Sequence, residues 1–109
     1  MGTYLSNGSS NAGGSVAFLN VATFLSLKHM PARLTAWMTA AILGMEEQHI
    51  PILIRARLLK PLGNPPNNGQ KYFARDYILR LASDEKWLAR ASDSLVAHWA
   101  LRNSKKERT

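Results

Sequence analysis

The segment from Leu34 to Gly63 (LTAWMTAAILGMEEQHIPILIRARLLKPLG) constrains the fold more than any other part of the chain. Its apolar residues recur at helical spacing on both sides of Gly44, and glycine readily takes the positive φ that ends a helix in a sharp turn. Ala40 is small enough for a second helix to cross the first closely, and Ile50 is placed to fill the angle between them. We therefore predict a helix-turn-helix, with two short helices that meet at Gly44 and bury Ile50.

The boundaries of these two helices follow from Thr35 and Pro51. Threonine is a good N-cap, so we place the start of the first helix at Thr35. Inside a helix a proline loses a backbone hydrogen bond and clashes with the preceding turn at a cost of about 3 kcal/mol, which the first helical position avoids. We therefore predict the second helix over about 51–58, after an irregular turn at Glu46–His49.

The segment 61–70 (PLGNPPNNGQ) is rich in proline, asparagine and glycine and is predicted to be a loop. The flanking segments 58–62 and 70–73 are short and are predicted to pair as a two-stranded wing. Next we predict a short helix over 75–81, with Tyr77, Ile78 and Leu81 inward, and a longer one from an N-cap at Ser83 to about Arg102. One face of the longer helix carries Trp87, Leu88, Ala91, Leu95 and Trp99.

The ends of the chain differ from this central part. Residues 1–15 are rich in glycine, serine and asparagine, which predicts a flexible leader. Residues 16–27 are apolar and are predicted to form a short helix, too short to span a bilayer and without the basic flank of a signal peptide. Its predicted inward stripe consists of Phe18, Val21, Ala22 and Leu25. We thus expect a leader over 1–29, which translation from Met30 would omit, a folded domain over 30–103 and a frayed basic tail over 104–109.

The charge of the chain indicates the chemistry of a partner. There are 14 Lys and Arg residues against 7 Asp and Glu, a formal net charge of +7, and seven of the basic residues lie within 30–81. Such a surplus on a small domain favours a polyanion, either nucleic acid or an anionic membrane surface. Because there is no cysteine, disulfides and thiolate metal sites are excluded, and we expect a cytoplasmic protein.

From Leu34 to about Leu81, the order of helix, glycine turn, helix, loop and aromatic segment resembles the winged helix-turn-helix domains of the excisionase and MerR-like group. The matching positions are Leu34, Thr35, Ala40, Gly44, Ile50, Leu53, Leu58 and the segment Lys71-Tyr72-Phe73. The resemblance covers a little under half of the chain. It implies a mainly α winged helix-turn-helix that binds double-stranded DNA, with the second helix in the major groove and the wing along the backbone. An excisionase-like accessory protein or a transcription regulator is the function it implies. The chain departs from the group at Glu46–His49 and Pro51, where DNA-binding members usually carry Arg, Ser or Thr.

The candidate DNA-binding residues are polar or basic side chains between the helical turn and the wing: Gln48, His49, Arg55, Arg57, Lys60, Asn67, Asn68 and Lys71. Glutamine pairs with the edge of adenine, whereas arginine and lysine contact phosphates. Each group has a plainer interpretation. Gln48 and His49 fit a solvated turn equally well. The arginines and lysines also fit an ordinary basic surface, and Asn67 and Asn68 favour turn formation over contact with a DNA groove.

The patterns that carry chemistry in enzymes are absent. His29, His49 and His98 lack metal-ligand spacing, so we predict no metal site. Glu46 and Glu47 are adjacent, point in different directions and have no accompanying base or nucleophile. There is no P-loop, GxGxxG, GxSxG or HExxH sequence. We therefore predict neither an enzyme nor a cofactor nor a small-molecule substrate.

A second function remains open on the same fold. The chain could serve as a protein-interaction module without DNA binding, in which Trp99 on the last helix anchors a homodimer or another protein.

Overall fold

The computed structural model describes residues 20–108, which are mainly helical with one small antiparallel sheet. In chain order the elements are α1 (Val21–Leu25), β1 (Arg33–Leu34), α2 (Ala36–Leu43), α3 (His49–Arg55), β2 (Phe73–Ala74), α4 (Arg75–Ala82) and α5 (Glu85–Arg108). The predicted leader over 1–15 and the first part of the predicted 16–27 helix lie outside the described residues. No helix in the described part of the chain combines the length and the apolar character needed to cross a membrane.

The bend between α2 and α3 is confirmed. Gly44 has a φ of 72°, and the N–H of Met45 donates to the carbonyl of Ala40 at 2.8 Å. That bond spans five residues and closes a Schellman motif, which requires a left-handed residue at the position of Gly44. Ile50 is only 2 % exposed, and Ala40 is equally buried in the core that α2 and α3 share.

The bounds of α3 differ from the prediction. The helix begins at His49, so Pro51 is its third residue rather than its first, and it ends at Arg55 rather than near Leu58. Because the first N–H groups of a helix have no acceptor within it, a proline in the third position gives up no helical hydrogen bond. The turn before it is closed by the N–H of His49 on the carbonyl of Glu46, at 2.9 Å.

The predicted wing pairing is wrong. In the described residues the sheet joins β1 to β2, with Leu34 opposite Phe73, and the segments 58–62 and 70–73 form no ladder. One backbone hydrogen bond, from Leu62 to Tyr72 at 2.8 Å, still closes the base of the loop between them. The physical reason is burial. Leu34 and Phe73 are both fully buried, whereas Leu62 is exposed and a hairpin ending there would bury little.

The predicted stripe of the apolar N-terminal helix is also wrong. In α1, Val21 and Leu25 are exposed, and the buried residue is Phe24. The Phe24 ring packs edge-on against Trp37, with 5.4 Å between the ring centroids. Asn20 caps α1 by accepting the N–H of Thr23 at 2.7 Å. A hydrophobic contact with α2 therefore decides which face of this five-residue helix is buried.

The two C-terminal helices are present, with revised ends. Helix α4 places Ile78 in the core as predicted. The N-cap of α5 is Asp84, whose carboxylate accepts the N–H of Trp87 at 3.1 Å. The predicted cap, Ser83, instead donates its hydroxyl to the carbonyl of Leu79. Helix α5 continues to Arg108, so most of the segment expected to be a frayed tail is helical.

Helix α5 is joined to the end of α3 through a buried tryptophan. Trp87 and Ala91 lie in the core, and the indole Nε1 of Trp87 donates to the carbonyl of Leu58 at 2.7 Å. The bond fixes the chain just after α3, where the basic segment begins. Among the described residues, the buried side chains that form one contiguous core are Phe24, Leu34, Met38, Ala40, Leu43, Ile50, Leu53, Leu59, Phe73, Ile78, Trp87 and Ala91.

Candidate functional site

A groove of about 790 Å³ lies between the start of α2, the outer side of α3 and the loop 67–71. We call it the α3 groove. Its base includes the buried side chains of Met38 and Ile50, and its rim carries Glu47, Arg55 and Lys71. The groove thus combines an apolar interior with two cations and one carboxylate at its edges.

The outward face of α3 has few polar groups. Pro51 and Arg55 are exposed and, being four residues apart, lie on one side of the helix, with half-buried Ile54 next to them. All three line the α3 groove. Arg55 is therefore the one residue of this set that can donate hydrogen bonds from its side chain.

Gln48 and His49 are engaged within the turn that precedes α3. Gln48 donates its side-chain amide to the carboxylate of Glu46 at 2.8 Å, and the N–H of Glu46 donates to Nδ1 of His49 at 3.1 Å. With Nδ1 accepting, the neutral imidazole carries its proton on Nε2. Neither residue lines the α3 groove. Both side chains stabilise the turn, and contact with base edges stays a prediction.

The loop 67–71 is built on a tight turn. The N–H of Gly69 donates to the carbonyl of Pro66 at 2.9 Å, which places Asn67 and Asn68 at the centre of the turn. Their predicted role as turn-forming residues is confirmed. Lys71 holds the same loop, because its ammonium donates to the carbonyls of Asn67 and Gly69 at 3.0 and 3.2 Å. No pattern in the sequence indicates this second role of the lysine.

Arg57 and Lys60 follow α3 but do not line the groove. Arg57 has a φ of 63°, a left-handed conformation, and the N–H of Leu58 donates to the carbonyl of Leu53 at 3.0 Å. The arrangement is a Schellman motif in which an arginine occupies the position that glycine normally fills. Lys60 is exposed, and its backbone N–H donates to the hydroxyl of Tyr77 at 3.1 Å.

The left-handed arginine gives a test that separates folding from binding. A left-handed backbone conformation costs a residue with a side chain about 1–2 kcal/mol. Glycine avoids this cost, but it has more conformational freedom to lose on folding, which offsets part of the gain in stability. We expect Arg57→Gly to raise the free energy of unfolding by roughly 0.5–1 kcal/mol, measured by urea denaturation. A loss of stability would show that the Arg57 side chain makes a favourable contact in the folded protein.

The cations beside α3 lack carboxylate partners. Among the side chains that the structure describes, the one ion pair joins Arg75 to Asp76 on α4, at 3.0 Å. Arg55, Arg57 and Lys60 are all exposed. Their charges are therefore not neutralised by neighbouring Asp or Glu and are open to an external anion. In the same described part of the chain, no three His, Asp or Glu side chains come together in a way that could hold a metal ion.

Two aromatic residues contribute to this side of the molecule in ways that the sequence did not indicate. Trp37 is half-buried and lines the groove while it packs against Phe24. Tyr72 carries the guanidinium of Arg33 over its ring, 4.2 Å from the centroid. The carbonyl of Tyr72 also accepts the hydrogen bond that closes the base of the loop. The contacts of Trp37 with Phe24 and of Tyr72 with Arg33 join parts of the chain that are distant in sequence, so no local pattern could have revealed them.

No protein-family model, curated protein or solved structure matches this chain. Function must therefore be inferred from the α3 groove and from the charges beside it. Folding brings Arg55, Asn67 and Lys71 of the predicted DNA-binding residues to the groove itself. The other predicted residues lie in the turn before α3 (Gln48), at the first position of α3 (His49), in the segment after it (Arg57 and Lys60), or at the tip of the loop (Asn68).

The second half of α5 extends the predicted apolar face beyond the core. Trp99 is half-buried, with the guanidinium of Arg102 5.4 Å from its ring centroid. Val96 and Leu101 are 69 % and 61 % exposed. They are five positions apart, about 140° around the helix axis, so they do not form one apolar stripe.

Proposed function

We propose that this protein binds double-stranded DNA through α3 and the loop 67–71, as an accessory or regulatory DNA-binding protein similar to the winged helix-turn-helix group of excisionases and MerR-like regulators. The observation that supports this most is the α3 groove, where Arg55 and Lys71 lie on the rim between α3 and the loop. The formal net charge of +7 adds a general attraction for a polyanion.

The geometry of the helix pair supports α3 as the element that enters the major groove. A helix is about 10–12 Å across with its side chains, close to the width of the major groove. Pro51 and Arg55 on the outer side of α3 are exposed rather than covered by another element. The loop closed by the bond between Leu62 and Tyr72 would then serve as the wing, although its sides do not form a ladder.

The two glutamates before α3 limit how the helix can approach DNA. Glu46 accepts a hydrogen bond from Gln48, whereas Glu47 lies on the rim of the groove. A carboxylate repels phosphates but can accept a hydrogen bond from the amino group of cytosine. We therefore infer that Glu47 faces base edges and that phosphate contacts lie toward the other end of α3, near Arg55 and Arg57.

The test is a mobility-shift titration of the full chain against mixed-sequence duplex DNA at several salt concentrations. Each neutralised phosphate contributes about 0.9 to the slope of log affinity against log salt. Contacts from Arg55, Arg57, Lys60 and Lys71 together would give a slope of roughly 3 to 4. Absence of retardation at low salt, or an affinity that does not change with salt, would contradict DNA binding by these residues.

A second candidate function is protein interaction through α5. It is favoured by the continuation of α5 past the core, where Val96 and Leu101 are exposed and Trp99 is half-buried. Co-purification of a stoichiometric protein partner, or a homodimer in analytical ultracentrifugation, combined with no DNA retention at low salt, would favour it. Loss of that association in Trp99→Ala would assign it to the side of α5 that carries Trp99.

A further inference from the structure

We propose that the outer side of α3 recognises thymine through its C5-methyl group, an inference that rests on the proposed binding of duplex DNA. The relevant surface consists of Pro51 and Ile54, which line the α3 groove between Glu47 and Arg55. Pro51 is exposed and Ile54 is half-buried, so both present apolar atoms to whatever enters the groove.

The chemistry of base edges selects the partner of this surface. In the major groove each base pair presents hydrogen-bond donors and acceptors, and the thymine methyl is the one apolar group among them. Proline and isoleucine side chains offer neither donors nor acceptors. If an amino or carbonyl group of another base packed against Pro51 or Ile54, it would lose its hydrogen bonds to water and gain no new partner. A methyl group makes no hydrogen bonds to water, so it has none to lose.

The surrounding charges favour DNA over an apolar protein segment as the occupant. Arg55 lies on the same side of α3 as Pro51, and Lys71 lies across the groove. Arg57 and Lys60 follow α3 and are exposed, and no described carboxylate pairs with either. The rim of the α3 groove carries two cations and one carboxylate, Glu47, around an apolar centre. The positive surplus on the side of Arg55 and Lys71 complements the phosphates that flank thymine methyl groups.

The effect on affinity can be stated per methyl group. Burying one methyl group that was exposed to water raises the binding affinity about three- to fourfold. Pro51 and Ile54 together can cover two neighbouring methyl groups, which predicts a total effect of roughly tenfold.

The experiment compares short duplexes of A·T pairs in which thymine is kept or replaced throughout by uracil, with affinity measured by fluorescence anisotropy on the full chain. Uracil lacks the methyl group and keeps the base-pairing atoms, so we expect roughly tenfold weaker binding. A second pair of duplexes, G·C pairs with cytosine or 5-methylcytosine, restores a methyl group in the major groove. We expect the methylated duplex to bind more tightly than its unmethylated counterpart.

Variants assign the effect to α3. In Pro51→Ser/Ile54→Thr we expect the ratio of thymine to uracil affinities to fall toward one, whereas Leu79→Thr, at an exposed apolar position on α4, should keep it. Equal binding of the thymine and uracil duplexes by the unchanged protein overturns thymine recognition and leaves DNA binding intact. Binding of neither duplex overturns the proposed function, and tight binding of an amphipathic peptide instead would assign the groove to a protein.

Discussion

Replacing Phe73 with alanine is expected to lower the free energy of unfolding by about 3–5 kcal/mol. Phe73 is 0 % exposed, and it lies on β2 opposite Leu34, which is also fully buried. The substitution removes the largest buried side chain of the sheet and leaves a cavity that neighbouring side chains can fill only in part. Because a domain of this size has about 5–15 kcal/mol of stability in total, the loss is a large fraction of it.

The measurement is thermal and urea denaturation followed by circular dichroism. One kcal/mol corresponds to about 4–8 °C in the melting temperature of a domain of 60–100 residues, so the shift should be at least about 12 °C. Leu79→Ala is the matched control, since Leu79 is a large apolar residue on α4 that is 41 % exposed. Equal losses in the two variants would show that β2 does not contribute to the core as its burial indicates.

The helix pair can be predicted because its signals are local. Gly44 allows a backbone conformation that other residues avoid, and the apolar spacing on both sides of it marks two helices. Ile50 follows from the same spacing, since a residue at the start of the second helix must fill the angle between them. The start of α3 differs from the prediction because a proline is tolerated anywhere in the first turn, and the sequence does not tell these positions apart.

The sheet cannot be predicted because its partners are distant in sequence. β1 contains only Arg33 and Leu34, too few residues for an alternating pattern, and its partner β2 follows much later. Local reasoning favours pairing 58–62 with 70–73, since a loop joins them directly. Burial of Leu34 against Phe73 outweighs that proximity. In α1, likewise, five residues are too few to define a stripe, and contact with Trp37 selects Phe24.

The candidate site is predictable in composition but not in arrangement. The sequence identifies Arg55 and Lys71 as cations near a loop, yet only the fold of the loop shows that both reach one groove. The hydrogen bonds of Gln48 and His49 within the turn depend on rotamers that no sequence pattern specifies. The apolar character of the α3 face follows from the rotation of the helix, which is fixed by burial of Ile50 and Leu53.

Reversing two charges at the end of α3, in Arg55→Glu/Arg57→Glu, is expected to weaken DNA binding by roughly 30- to 1,000-fold. Each reversal removes an attraction of up to about 1 kcal/mol for a phosphate about 4 Å away in water and adds a similar repulsion. Screening by salt reduces the sum to about 2–4 kcal/mol, which corresponds to that range of affinities. Lys71 is left unchanged because its ammonium also holds the loop carbonyls of Asn67 and Gly69.

The matched control is Lys86→Glu/Arg90→Glu on α5. It makes the same change in net charge at two exposed positions four residues apart, on a helix that buries Trp87 and Ala91 among its described side chains. If only the total charge of the protein mattered, both double variants would weaken binding equally. If α3 binds the DNA backbone, the first variant should also lower the salt slope by about 2, because each phosphate that is no longer neutralised removes about 0.9 from it. The control should keep the slope of the unchanged protein.

Arg57→Gly extends the comparison, because it removes one of these cations while relieving the left-handed backbone. A variant that is more stable and yet binds DNA more weakly would mean that the strain at Arg57 is retained for binding.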